Sequence, residues 1–237
     1  MNSNVVRRVA QVAVVAQLVF VASFLIAASW QGPGYSAAAH SMSDMYAVTA
    51  PNGMFLVVVF TLYGVAMLLF AALSMWPTLR LARWWAAAGS VVFALSIFGL
   101  GNVLSPFERL ACRMADPGCS ANAQAANAGG ALDNALSFPG ILLFAFAVFL
   151  IASAMKRTPG WQRWTWPARW AGLAFILMLV ADIVAYALNL GVDGLMERLL
   201  ATTGSAIVAA FAWGIQAGVG EPVPARTETD SWARRLG

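Results

Sequence analysis

The stretch MFLVVVFTLYGVAMLLFAALSM, residues 54–75, decides the fold. It holds no charged side chain, and its length matches the roughly 20 apolar residues that a helix needs to cross a bilayer core. It lacks period-two alternation and is too long for one barrel strand. In lipid every backbone N–H and C=O must find its partner inside the segment, which leaves the α-helix.

Five further runs read the same way: 9–29, 84–104, 138–155, 170–190 and 199–218. They predict an all-α membrane protein, a six-transmembrane-helix bundle over residues 1–218, multi-pass in the inner (plasma) membrane. A disordered cytoplasmic tail follows at 219–237, with two prolines and mixed charge. Composition agrees: 61% of residues are hydrophobic, 10% are charged and the mean hydropathy is +0.74. A soluble domain carries about 25% charged residues. Arg7 and Arg8 before the first run also suit a secretory signal, but that run exceeds the usual ~7–15-residue signal core. It is expected to stay as the first helix.

The cations set the orientation. Arg7, Arg8, Arg80, Arg83, Lys156, Arg157, Arg163, Arg169, Arg226, Arg234 and Arg235 fall on one side, and Arg109, Arg113 and Arg198 on the other. The positive-inside rule then places both termini in the cytoplasm. The net charge of +4 is thus a topology signal. The basic residues are scattered over short loops, which argues against nucleic-acid binding. Trp76, Trp84, Trp85, Trp161, Trp164, Trp166 and Trp170 gather on the arginine side, as an interfacial belt would.

The outer connections are 30–53, 105–137 and 191–198. They carry Asp44, Glu108, Asp116, Asp133, Asp193 and Glu197, six of the ten acids. Both cysteines, Cys112 and Cys119, lie in the second of them with an Asp-Pro-Gly turn between. On an oxidising side a disulfide is the natural reading, with a pair of free thiols as its rival. Two thiols and one distant histidine are too few for a metal site. Glu-Arg-Leu occurs twice, at 108–110 and 197–199. Neighbours on a helix are three or four residues apart, so either Glu108 pairs with Arg198 and Arg109 with Glu197 across hairpins, or all four are interfacial charges with no partner.

The run GYSAAAHSMSD, residues 34–44, contains the only histidine. It resembles the opening motif of a bacterial six-helix membrane family, the domain-of-unknown-function family 998: Gly-Tyr-Ser, a short gap, then His-x-(Ile/Met)-Ser-(Asp/Glu). Gly34, Tyr35, Ser36, His40, Met42, Ser43 and Asp44 fit. Pro106–Arg109 and Glu197–Arg198 stand where that family carries outer polar motifs, and the likeness runs from about Val9 to Gly218. Many members place a second histidine before the fourth helix, where this chain has Leu132–Asn134. A two-histidine metal site is therefore not implied. The resemblance implies a fold and a polar outer patch, with no established reaction.

Two features carry candidate chemistry. In a helical turn His40 and Asp44 share a face and Ser43 lies beside them. An Asp–His pair beside a serine is the raw material of acyl transfer. The competing reading makes Ser41 or Ser43 a helix cap and His40 a loop tie. Catalytic candidates are therefore His40, Ser43 and Asp44. The second feature is Asp182, with Tyr186, Asn189 and Asp193 spaced as one helical stripe. A carboxylate in hydrocarbon costs about 2.5–3.5 kcal/mol, so the stripe should face the interior, either lining a cavity or tied to Thr61, Ser90 or Ser96.

Together these residues outline an outward-opening funnel. Its ligand-binding candidates are Glu108, Arg109, Asp133, Asp182, Tyr186, Asn189, Glu197 and Arg198. Such a funnel suits an amphipathic molecule such as a membrane lipid, with its head at the rim and its tail among the helices. The expected protein is a multi-pass membrane protein with this pocket and no cofactor, with protein partners in the membrane as a further reading. The alternative is an outer-leaflet lipid-modifying enzyme working by acyl transfer or hydrolysis. No His-Glu-x-x-His or Gly-x-Ser-x-Gly signature supports that enzyme. A small-solute or proton transporter ranks below both, because inverted halves are not evident.

Overall fold

The computed structural model describes residues 2–219. The tail expected at 219–237 lies outside them, apart from Val219. Six helices are long and apolar enough to cross a membrane: α1 Ser3–Ala28, α2 Gly53–Ala82, α3 Trp84–Leu104, α4 Ala128–Met155, α5 Gln162–Ala187 and α6 Asp193–Gln216. Each packs on its neighbours in sequence, and α6 returns to α1, so the helices close into a ring. Each also turns an apolar residue outward: Leu18, Leu62, Val91, Phe146, Leu177 and Trp213 are all more than half exposed. Apolar side chains pointing away from the core on every helix suit lipid as the solvent.

The inside of the ring is aromatic. Phe20 of α1 stacks on Tyr63 of α2 with centroids 4.4 Å apart. Phe98 of α3 meets Phe144 of α4 at 4.3 Å, and Phe144 meets Phe175 of α5 at 4.9 Å. Gln17, 2% exposed, accepts from the Tyr63 hydroxyl at 2.9 Å. Its amide thereby avoids the cost of an unpaired buried polar group.

Four helices begin several residues earlier than hydropathy predicts: α1 at Ser3 rather than 9, α5 at Gln162 rather than 170, and, with more consequence for the site, α4 and α6. α4 starts at Ala128 rather than near 138, because Asn127 caps it: its Oδ1 accepts from Gly130 N at 2.7 Å. Asp133 is thus a helix residue rather than a loop residue. α6 starts at Asp193, whose acidic side chain suits a helix N-terminus, so Glu197 and Arg198 are helical too. α5 stops earlier, at Ala187. Asn189 adopts a left-handed φ of 51° and Leu190 N turns back to Ala185 O at 3.1 Å. This ends the expected stripe: Tyr186 is 69% exposed and Asn189 lies beyond the helix. One of the belt tryptophans is also misplaced. Trp161 is 2% exposed and packs edge-on against Phe211 at 5.1 Å, whereas Trp84, Trp166 and Trp170 are well exposed.

α3 is interrupted. Ser96 is extended (ψ 175°), and a π-type turn, Ile97–Gly101, follows before the helix resumes. Asn102 Nδ2 donates to the freed Ile97 carbonyl at 2.6 Å. Opposite this break α4 carries Pro139 within its length. Gly140 comes so close that a Cβ there would lie 3.1 Å from Ile97 N. Irregular backbone at membrane depth is tolerated where it is buried in protein or lines a cavity, and here it does both.

Candidate functional site

The connections 29–52 and 105–127 fold over one end of the ring as a cap, held mainly by buried polar groups. Arg198, 7% exposed, donates Nη1 to the carbonyls of Ala37 (2.7 Å), His40 (2.9 Å) and Gly194 (2.7 Å), and Nη2 to the Tyr35 hydroxyl. Leu195 N donates to Ala38 O at 2.9 Å. The approach is so close that Gly194 has no room for a side chain: a Cβ would strike the His40 carbonyl. Arg109 likewise donates Nε to Tyr46 O at 2.9 Å and Nη2 to Ala47 O at 3.0 Å. The Glu108–Arg198 and Arg109–Glu197 pairs therefore do not form. Both guanidiniums serve loop carbonyls, whose lone pairs would otherwise be buried unpaired.

The second loop has its own bracing. Cys112 and Cys119 form a disulfide with Cα atoms 6.1 Å apart. Arg113 pairs with Asp116 at 2.6 Å and donates Nη1 to Gln31 O at 2.7 Å. Burial would raise the Asp116 carboxyl, but hydrogen bonds from Arg113 and Thr49 outweigh it and hold the carboxyl low.

His40, Ser43 and Asp44 do not join as a hydrogen-bonded triad. His40 Nδ1 accepts from Ser36 N at 2.9 Å. Asp44 is fully buried, and its Oδ1 accepts from Met114 N (3.1 Å) and Gln124 Nε2 (2.6 Å). It thus stitches the first loop to the second. Burial pushes its carboxyl up, against the pull of the Met114 N–H and nearby His40. Ser43 alone of the three reaches the cavity beneath the cap.

That cavity, about 120 Å³, lies where α3 is broken and α4 carries its proline. A single water needs only about 10–15 Å³ of such space. Its upper wall brings together four of the predicted residues from separate elements: Glu108 of the cap, Asp133 of α4, Asp182 of α5 and Glu197 of α6. Its floor is Phe20, Phe60, Phe98 and Phe175. Met42 N donates to Glu197 Oε2 at 2.6 Å. Ser137 donates to Asp133 at 3.3 Å, and the Tyr46 hydroxyl also bonds Asp133. Asp182 makes no bond to the partners proposed for it. Thr61 turns to Val57 O and Ser96 to Phe93 O.

Glu108, unlike Glu197 and Asp133, has no side-chain hydrogen-bond partner. It is 4% exposed, and its Oε1 is buried with no hydrogen-bond partner. Burial, then the charge of Asp133, pushes its carboxyl up to about 7. Burial also raises the Tyr46 hydroxyl well above its usual value, so it stays a neutral donor. Of the predicted ligand residues, Arg109 and Arg198 hold the cap, and Tyr186 and Asn189 stand outside the cavity. Sequence reasoning did not single out Tyr46, Asn102, Ser105 or Ser137, which also line it. Their signal lay in the helix breakers inside apolar runs, Gly99 and Gly101 on α3 and Pro139–Gly140 on α4.

A family model described as "Protein of unknown function (DUF998)" matches residues 14–214. No curated protein and no solved structure matches the chain.

Proposed function

The chain belongs to the DUF998 family, and we propose that this multi-pass membrane protein binds an amphipathic ligand, a membrane lipid or a molecule like one. The head enters the capped cavity and the tail lies among the helices. The observation that carries this reading is one cavity with a carboxyl-and-hydroxyl upper wall and a phenylalanine floor. Pockets that hold small molecules are mostly apolar, with a few placed polar groups. The interruption of α3 supports it, since it gives the cavity polar backbone at membrane depth.

In this reading the capped end faces outward and the arginine-rich end faces the cytoplasm. The Cys112–Cys119 bond accords with an oxidising side. A cysteine placed at Ser3 should resist impermeant thiol reagents in intact cells; labelling there would reverse the orientation.

The binding test is native mass spectrometry of protein gently extracted from its own membrane. A bound amphiphile is expected on the wild type and not on Ala201→Phe, which fills the cavity wall, at matched thermal stability. Equal retention by both proteins would remove the cavity from the reading.

A further inference from the structure

The charge around the cavity is lopsided. Among the described residues four carboxyl groups line it, Glu108, Asp133, Asp182 and Glu197, and no lysine, arginine or histidine does. The two arginines adjacent in sequence, Arg109 and Arg198, are committed to backbone carbonyls on the cap side. Helices α1, α2 and α3, with Ser105 just beyond α3, add only apolar, amide and hydroxyl groups: Phe20, Phe60, Phe98, Asn102 and Ser105. The acids are partly satisfied from within, Glu197 by Met42 N and Asp133 by Ser137 and Tyr46. Glu108 is not. It lines the space, and its buried Oε1 lacks any donor, a position that is costly for a buried acceptor until a donor arrives.

The missing donor should be cationic, and its shape is constrained. Among the described residues no three of His, Cys, Asp or Glu converge closely enough to hold a metal ion. The carboxylates surround a space rather than chelate a point. Below them stand four phenylalanine rings, whose negative faces attract an organic ammonium. We infer that the cavity selects a cationic head group, an alkylammonium, through Glu108 and the carboxyls facing it, over the phenylalanine floor. This rests on the amphipathic-ligand reading and names the ligand's charge.

Binding then depends on pH through Glu108 and the carboxyls that face it. Protonation of Glu108, raised to about 7, removes the charge the ammonium meets. Affinity should rise as pH increases through that range.

The test uses the full chain in dodecyl maltoside micelles, with thermal shift and native mass spectrometry as readouts. The probes are dodecylammonium, dodecyltrimethylammonium, dodecanoate and tetramethylammonium chloride at matched ionic strength. Expected is binding of the two ammonium amphiphiles at least tenfold tighter than dodecanoate. Glu108→Gln and, independently, Asp182→Asn should cut that preference by about tenfold, the change that 1.4 kcal/mol produces. Dodecanoate binding as well as the ammonium amphiphiles, or neither substitution altering the preference of a folded protein, would overturn the inference and leave the amphiphile reading standing. Tetramethylammonium binding as tightly as its dodecyl relative would keep the cation site and overturn the amphiphile reading. No binding by any probe would overturn both.

Discussion

At the capped end Arg198 is 7% exposed and holds three backbone carbonyls. At the other end Arg163 lies exposed, its guanidinium 5.6 Å from the centre of the Trp164 ring, and Arg169 sits likewise against Trp166 at 5.5 Å. The same residue type does two different jobs. One end buries its charge and meets it with specific acceptors, leaving only Nε of Arg198 without one. The other keeps its charge in the aqueous boundary, where only the count and the side matter. Counting arginines therefore reads the second end well and the first end poorly.

The sharpest way to break this comparison is to remove one arginine from each end. Arg198→Leu leaves the Ala37 and His40 carbonyls and the Tyr35 hydroxyl without that donor. At about 1–3 kcal/mol for each buried unpaired group, a loss of at least about 3 kcal/mol is expected, with the first loop released. Arg163→Leu should change stability by about 0.5 kcal/mol or less, as surface substitutions do. Thermal unfolding in detergent reads both, and equal losses would erase the distinction between the two ends.

A second test concerns the charge that the capped end leaves unpaired. The folded protein holds Glu108 protonated up to about pH 7, against an ordinary value of 4.5. Between those values the folded state binds more protons than the unfolded one, so the contribution is full below about 4.5 and lost as pH rises through 7. At about 1.4 kcal/mol per pK unit, this amounts to no more than about 3.5 kcal/mol, and less where water reaches the carboxyl. Ligand-free wild type should therefore melt lower at pH 8 than at pH 5. Glu108→Gln should flatten that slope and melt higher than wild type at pH 8. An unchanged slope would mean that the buried oxygen is solvated.

The disulfide gives a smaller effect confined to the cap. Cys112 and Cys119 are seven apart in sequence, and chain entropy for so short a loop gives about 2–2.5 kcal/mol. The Cys112→Ser, Cys119→Ser double variant should lose about that much. It should also be indifferent to reductant, whereas wild type should fall to its level when reduced. A wild type insensitive to reductant would show that the bond is absent or contributes nothing.

What was legible follows the same divide. Six helices and an all-α membrane fold could be read from residues 54–75 and the five runs like it, because lipid imposes length and hydropathy directly. Glu108, Asp133, Asp182 and Glu197 could be singled out as acids at one end of an apolar chain. Their partners could not, because pairing depends on tertiary approach. Arg198 met carbonyls because Gly194 let the first loop settle against α6. Asp44 met Met114 and Gln124, 70 and 80 residues away. The start of α4 was hidden by Ala- and Gly-rich residues of low hydropathy, though Asn127 was a readable cap.

The smallest expected effect returns to the stripe that the structure cut short. Spacing alone places Asn189 on one face with Asp182, and so among the ligand-binding residues. In the structure α5 ends at Ala187, and Asn189 has a φ of 51°, a conformation where asparagine and glycine are at ease and other side chains are strained. If its role is to turn the chain, glycine should serve as well as asparagine. Asn189→Gly should match wild type within about 0.5 kcal/mol and keep any bound amphiphile. Asn189→Ala should lose about 1 kcal/mol to left-handed strain and also keep it. Thermal unfolding and native mass spectrometry of the two variants separate backbone from side chain. Loss of the amphiphile in a stable Asn189→Gly protein would show that the amide itself meets the ligand, and would restore the stripe from Asp182 outward as part of the site.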